Sequence, residues 1–240
     1  MLKFQSVSGH HFYDKLLEAS SIVIDLGAGK GEFAEGLDSM LSCEYYEVEA
    51  NPQLCSQIRD AGHIRKFNYA VSDSSGEVKF YISNIPNSSS LYPQISAKHG
   101  INKTIVVPSI TLEDFLNANN IRSIDLLKID IEGSELDFFN SAKDGIISNI
   151  KQISVEFHDF IEGVRFGGNV EKIIKRLKKL GFFCLRFGTV LNADVLFINK
   201  NVFRFTDLKY LYLWVQDTLS LKYMFIARMF LFRAVSKLRR

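Results

Sequence analysis

Apolar runs of strand length alternate with segments of helical period along most of this chain, the pattern of a parallel sheet covered by helices on both faces. The runs at Ile22–Leu26, Glu44–Glu49, Ile64–Val71, Ile124–Asp130, Gln152–His158, Phe182–Phe187 and Asp194–Asn199 predict seven strands. Helices are predicted between them at Glu32–Leu41, Pro52–Ala61, Leu112–Asn117, Ser134–Ser148 and Val170–Leu180. Pro52 suits a first helical turn, and Thr111, with Asp114 three residues on, reads as an N-cap. Two departures from simple alternation stand out. Between Asp73 and Ile110 the turn residues Ser74-Ser75-Gly76, an edge strand Glu77–Ile82 and a polar loop from Asn84 to Ser90 predict an insertion over the sheet, a lid or acceptor-binding loop. The last two strands are separated only by Gly188 to Ala193, too short for a helical crossover, so they should pair antiparallel. The expected organisation is a helical lead-in over 1–20, a domain over 21–203 carrying the insertion at 73–110, and a helical tail over 204–240.

Composition changes this picture little until charge is resolved along the chain. An apolar fraction of 47% over 240 residues supports a sizeable core. Cys43, Cys55 and Cys184 are odd in number and lack a CxxC pair, which argues for reduced structural thiols and against a zinc site. The first ten residues hold no continuous apolar run or cleavage pattern, so a cytoplasmic protein is expected. The net charge of +2 divides into +5 from Thr206 to Arg240 and −3 before it.

The chemistry concentrates at strand ends. Strand Ile22–Leu26 runs into Gly27-Ala28-Gly29-Lys30-Gly31, whose alternate glycines permit a tight turn and close ligand approach. Asp25 stands just before that turn, where it would repel a pyrophosphate and hold a cationic ligand such as S-adenosylmethionine. Glu49 lies about 20 residues past the turn, where an acid accepts ribose hydroxyls; a solvated helix-start acid is the alternative. Ser72 and Asp73 fall where an adenine edge would lie, or else cap the following turn. Lys128, Asp130, Glu132 and Glu135 cross from a strand end into a helix start and must face a cleft, each other or solvent. Lys128 could bridge Asp130 or Glu132. Glu156 and His158 share a face by the two-residue period, which brings His158 to the rim where Asp130 falls. A histidine satisfied by Glu156 or a backbone carbonyl is the alternative there. Asp130, Glu132, Glu156 and His158 are an oxygen-rich set of the kind that suits magnesium, but nothing in the sequence shows that they converge, so no metal is assigned.

Taken together, Val23 to Gly29, Glu49 to Pro52, Ala70 to Asp73 with Gly76, Ser89-Ser90-Leu91, Thr111 to Phe115, Lys128 to Glu135 and Val155 to His158 resemble the FkbM-type methyltransferase family over roughly Ser21 to Lys200. Lys128-Ile129-Asp130-Ile131-Glu132-Gly133 is the most family-specific piece. Glu49-Ala50-Asn51-Pro52 departs from the Glu-Pro-Asn more usual in the family, but retains the acid. The resemblance implies a Rossmann-like class I fold: a seven-stranded, mostly parallel sheet with one antiparallel strand. It also implies S-adenosylmethionine as cofactor and, commonly, O-methylation of a sugar hydroxyl in glycan, lipid-linked saccharide or natural-product assembly. On this reading Asp25, Gly27, Gly29, Glu49, Asn51, Ser72, Asp73 and Asp130 hold the cofactor, and His158 is the base, its ordinary pKa lying near working pH. Asp130 is a second base or an orienter, and Glu132, Glu156, Ser89 and Ser90 meet the acceptor. A nicotinamide dehydrogenase is disfavoured by Asp25 and by the antiparallel terminal strand. A catalytically silent cofactor- or membrane-binding module is the alternative from another class.

The tail over 206–240 mixes basic residues with Leu, Tyr, Phe and Trp214 and holds no run long enough to span a bilayer. It could lie in a membrane interface, which would put the protein at the inner face of a membrane, or pack on the domain or across a homodimer. Its basic residues come with bulky aliphatics rather than a polar stripe, which argues against nucleic acid as a partner.

Overall fold

The computed structural model describes residues 3–159, 167–187, 192–201, 213–215 and 217. In chain order they form β1 (Gln5–Val7), β2 (His10–Phe12), β3 (Ile22–Leu26), α1 (Glu32–Asp38), β4 (Glu44–Val48), α2 (Pro52–Cys55), β5 (Ile64–Phe67), β6 (Ala70–Val71), β7 (Gly76–Ser83), α3 (Pro93–Ser96), β8 (Ile101–Ile110), α4 (Leu112–Ala118), β9 (Ile124–Ile129), α5 (Glu135–Ser141), α6 (Asp144–Ile147), β10 (Ile150–Val155), α7 (Gly167–Lys179), β11 (Phe182–Arg186) and β12 (Val195–Asn199). The main sheet has the order β11-β12-β10-β9-β3-β4-β5. All neighbours pair parallel except β12, which is antiparallel to both β10 and β11. This is the expected seven-stranded, mostly parallel sheet with one antiparallel strand.

The two-residue period sends alternate side chains to opposite faces. Ile24, Leu26, Leu127, Ile129, Ile153 and Val155 pack with Phe115, Phe138, Phe139, Ile174 and Leu177 from α4, α5 and α7. On the other face Val23, Tyr45, Ile64 and Leu126 pack with Phe33, Ala34 and Leu37 of α1 and with Phe12. At about 1.5–3 kcal/mol for each large apolar side chain removed from water, these two layers fix the register of the strands and hence the positions of their ends.

Four expectations are corrected. The described residues of the expected helical lead-in over 1–20, which begin at Lys3, form the β1–β2 hairpin and one 3-10 turn; Ser8 and Gly9 both have positive φ (48° and 84°), as a tight hairpin turn requires. The hairpin lies so close over α1 that a Cβ at Gly36 would stand 2.5 Å from Val7 Cγ1. The strand expected over Ile64–Val71 breaks after Phe67, where Asn68 Nδ2 donates to the Glu49 and Ala50 carbonyls and turns the chain away; β6 then joins β8 and β7 in a separate three-stranded sheet. The insertion is therefore a paired ribbon, and β8 was not expected at all. The helix expected over Ser134–Ser148 divides at Ala142 and Lys143, both extended, and Arg176 caps the freed Phe139 and Ala142 carbonyls.

Most of the tail expected over 204–240 lies outside the described residues. Of those that are described, Leu213 packs on Phe183 and Leu185, and Asp217 accepts from Cys184 N and pairs with Lys178. Among the described residues no helix is long and apolar enough to cross a membrane.

Candidate active site

Three charged side chains align across the middle of the main sheet. The register places Asp25 on β3 beside Glu47 on β4 and Lys128 on β9, all on the face that α1 covers. Lys128 Nζ lies 2.8 Å from Asp25 Oδ1, donates to the Gly27 carbonyl at 2.8 Å, and stands 3.8 Å from Asp130. Burial opposes the Lys128 charge, yet Asp25 and Asp130 outweigh it and push its pKa above the ordinary lysine value. Burial pushes Asp25 up, against the pull of Lys128. Burial, and then Asp25, hold the Glu47 carboxyl well above the usual range, and neither of its oxygens has a hydrogen-bond partner. The buried Glu47 went unread, although its alternation with Glu49 is visible in the sequence. Asp25 is corrected as a cofactor ligand: it is fully buried, it does not line the cleft, and its partner is Lys128.

The glycine turn sits above this row. Gly27 has φ 79°, and a Cβ there would lie 1.7 Å from the Asp130 carbonyl oxygen, so only glycine permits the contact between the turn and the end of β9. Gly29 N donates to Glu49 Oε2 at 2.8 Å, and Asn51 N to Glu49 Oε1 at 2.6 Å. Burial pushes the Glu49 carboxyl up to about 7 against these two bonds. Each oxygen keeps a lone pair for a further donor.

These elements enclose a cleft of about 320 Å³ at the carboxyl ends of the strands, a size within the range of small-molecule sites. Gly27, Gly29 and Glu49 line it together with the apolar Val48, Ala50, Leu54, Val71 and Phe80. The polar part of the lining holds Asp130, Glu132, Ser89 and Asn87, and also Ser8 and His10 from the N-terminal hairpin. The hairpin's contribution was missed, because nothing local to His10 signals a partner 120 residues away.

Asn51, Ser72 and Asp73, expected at the cofactor, do not line the cleft. Asn51 caps α2 by accepting from Gln53 N, and the Ser72 and Ser74 hydroxyls donate to the Asp73 carboxylate. Ser90 and Glu156 also lie off the lining. Ser90 donates to the Glu132 carbonyl at 2.6 Å and so ties the insertion to the 130–134 loop, where Glu132 itself has φ 48°. Ser89 lines the cleft, but its hydroxyl donates to the Pro86 carbonyl.

His158 is corrected as the base. Its Nδ1 is 2.9 Å from Glu135 Oε1, and its Nε2 is 3.3 Å from Glu132 and 3.7 Å from Asp130. Burial opposes its charge, but Glu135, Glu132 and Asp130 push its pKa up to about 10. Both ring nitrogens face carboxylates, which favour its protonated form, and the side chain does not line the cleft. Burial pushes Glu132 up to about 8 and also raises Glu156. For Asp130 burial is outweighed by Lys128, His10 and His158, which hold its carboxyl well below the usual range. The expected set divides into two groups that share Asp130: Asp130 with Glu132 and His158, and Asp130 with Glu156 and His10.

A doubly covered sheet of this order, with a glycine turn and an acid at the end of the next strand facing one cleft, defines a class I methyltransferase. The chain belongs to the FkbM methyltransferase family: residues 25–184 match the Methyltransferase FkbM domain. S-adenosylmethionine is its cofactor, and the dehydrogenase alternative falls. The glycine turn fits that group, with no side chain at Gly27 or Gly29 to obstruct it and with the Glu49 carboxylate at its edge. No curated protein matches the chain. Among solved structures it is similar to the TrmK of M. capricolum in complex with S-adenosylhomocysteine, at 13% identity over 81% of this chain and 70% of that one, TM-score 0.40. It is also similar to Aeropyrum pernix fibrillarin with bound S-adenosylmethionine, at 12% identity over 76% and 66%, TM-score 0.37. The precorrin-6y C5,15-methyltransferase of Geobacter metallireducens shows 13% identity over 76% and 80%, TM-score 0.36. These likenesses are distant, and the assignment rests on the family match.

Proposed function

We propose that this methyltransferase methylates a hydroxyl oxygen of a saccharide acceptor. The observation that carries the reading is the polar part of the lining, where Asp130 and Glu132 stand with Ser8, Asn87 and Ser89. Such a lining offers acceptors and small polar groups to a molecule that presents many hydroxyl donors, and it repels an anionic acceptor.

When bound, S-adenosylmethionine supplies an electrophilic methyl on a sulfonium and leaves as the neutral thioether S-adenosylhomocysteine. Glu49 accepts from the ribose hydroxyls, and Gly27 and Gly29 leave the backbone open to the ligand. Asp130 stays ionised, held by Lys128, His10 and His158, and accepts a hydrogen bond from the acceptor hydroxyl, fixing its oxygen. The hydroxyl proton passes along that hydrogen bond to the Asp130 carboxylate as the oxygen forms its bond to carbon. Positioning supplies most of the help, since aligned reactants about 3–3.5 Å apart gain several orders of magnitude in rate. His158 keeps the carboxylates in place and does not line the cleft.

The test is a methyl-transfer assay with S-adenosylmethionine over a panel of mono- and oligosaccharides, reading methylated product by mass. A methyl ether on a sugar hydroxyl is expected, with turnover at least 100-fold lower in Asp130→Asn. Binding of S-adenosylmethionine with transfer only to nitrogen or to non-sugar acceptors would overturn the reading.

A further inference from the structure

Three parts of the chain far apart in sequence bring ligand atoms together at the edge of the cleft. His10 comes from β2, Asp130 from the end of β9 and Glu156 from just after β10, and one nitrogen or oxygen of each lies within 4.8 Å of those of the other two. We propose that these three side chains bind a divalent transition-metal ion such as Mn²⁺ or Zn²⁺, leaving positions open toward the acceptor.

His10 carries the argument furthest. It is 2% exposed, in surroundings where a polar ring is costly unless both nitrogens are used. Its Nδ1 is 3.4 Å from the Ser154 hydroxyl, which orients the ring in the way that metal-binding histidines are oriented through their other nitrogen. Its Nε2 points at Asp130 Oδ2 but stops 3.6 Å short, beyond a direct hydrogen bond. That separation is what two ligands of one ion require: with metal–ligand bonds of about 2.0–2.2 Å, atoms 3.6 Å apart subtend roughly 120° at the metal. The donor chemistry also selects. One imidazole with two carboxylates suits Mn²⁺ or Zn²⁺ better than the all-oxygen shells of Mg²⁺ or Ca²⁺.

The charges around the cluster ask for a cation. Asp130 and Glu156 meet His10 there, His158 holds Glu132 and Glu135 beside them, and Lys128 Nζ pairs with Asp25 at 2.8 Å and stands 3.8 Å from Asp130 Oδ2. His158 holds Asp130 Oδ1 and Glu132 from the far side, leaving Asp130 Oδ2 turned toward His10. Asp130 and His10 line the cleft, so an ion between them meets whatever binds against that part of the lining. Resting on the methyl-transfer reading, the ion would polarise the acceptor hydroxyl and ease loss of its proton. His10 also lies outside residues 25–184, so the family match does not supply this ligand.

The experiment uses the full chain after chelator treatment and dialysis, without S-adenosylmethionine. Mn²⁺ binding is followed by loss of the free-ion electron paramagnetic resonance signal, with Zn²⁺ competing. One equivalent bound with micromolar affinity is expected, weakened at least 10-fold in His10→Ala and in Glu156→Gln and unchanged in Glu113→Gln, a surface acid far from the site. Circular dichroism checks each fold, and should His10→Ala fail to fold, Glu156→Gln and His10→Gln decide. No binding by the wild type at millimolar Mn²⁺ or Zn²⁺, or equal binding by folded variants, would overturn the proposal. Metal binding without sugar methylation would sink the acceptor reading alone. Full-rate methylation by a chain that binds no metal would sink the metal site alone.

Discussion

Removing Lys128 should unbalance the centre of the sheet more than any other single change at the site. In Lys128→Met the buried Asp25 carboxyl loses the ammonium 2.8 Å away, and the Gly27 carbonyl loses its donor at the same distance. Breaking a buried pair by deleting one partner costs about 3–5 kcal/mol. For a chain of this size each kcal/mol lowers the midpoint of thermal unfolding by about 2–4 °C, so a fall of roughly 6–20 °C is expected. The pH dependence has a definite sign. Without the lysine, the Asp25 carboxyl, already raised by burial, rises further above its unfolded value. The part of the deficit due to Asp25 is therefore absent below the ordinary carboxylate range and grows as pH rises toward the folded-state pKa, while the loss of the Gly27 contact persists at all pH. Asp25→Asn combined with Lys128→Met removes both charges and should recover at least 2 kcal/mol of the loss in urea melts at pH 7, a coupling of the size seen for contacting groups. A single variant within 1 kcal/mol of wild type, or a double variant whose losses simply add, would refute the assignment of Lys128 as the partner of Asp25.

Gly27→Ala should cost more than 3 kcal/mol and abolish cofactor binding, because its Cβ would overlap the Asp130 carbonyl at 1.7 Å and its φ is 79°; chemical denaturation and calorimetry with S-adenosylmethionine check both. Affinity for S-adenosylmethionine should fall about tenfold per unit as pH drops below the Glu49 pKa of about 7, since only the ionised carboxylate can accept the ribose hydroxyls fully. Calorimetry from pH 5.5 to 8 tests this, and a flat profile in the wild type would remove Glu49 from the cofactor's contacts.

Much of this molecule was legible because local and global signals agree. Ile22–Leu26 forms the strand the pattern predicts, and the six residues after Phe187 leave room only for an antiparallel return. What failed was nonlocal. Asp25 looked like a free carboxylate because its partner is 103 positions on and meets it only through the β3–β9 register. His158 was assigned its ordinary basicity because sequence does not show that three carboxylates surround one ring. The strand over Ile64–Val71 broke where one side chain, Asn68, satisfied two carbonyls across the turn. β8 was hidden by the polar start Asn102-Lys103-Thr104 and by Pro108, which suit a strand exposed on one face.

The N-terminal hairpin bears on how this protein can be divided. A piece cut to the 25–184 span would keep the glycine turn, Glu49 and Asp130, and would still look whole by similarity. It would lack Ser8 and His10, and Phe12, which is packed against Phe33, would be gone from above α1. The unit of recognition and the unit of chemistry therefore have different borders here. Exchanging the eight residues from Gln5 to Phe12 between relatives is a direct way to ask whether acceptor choice travels with the hairpin rather than with the sheet.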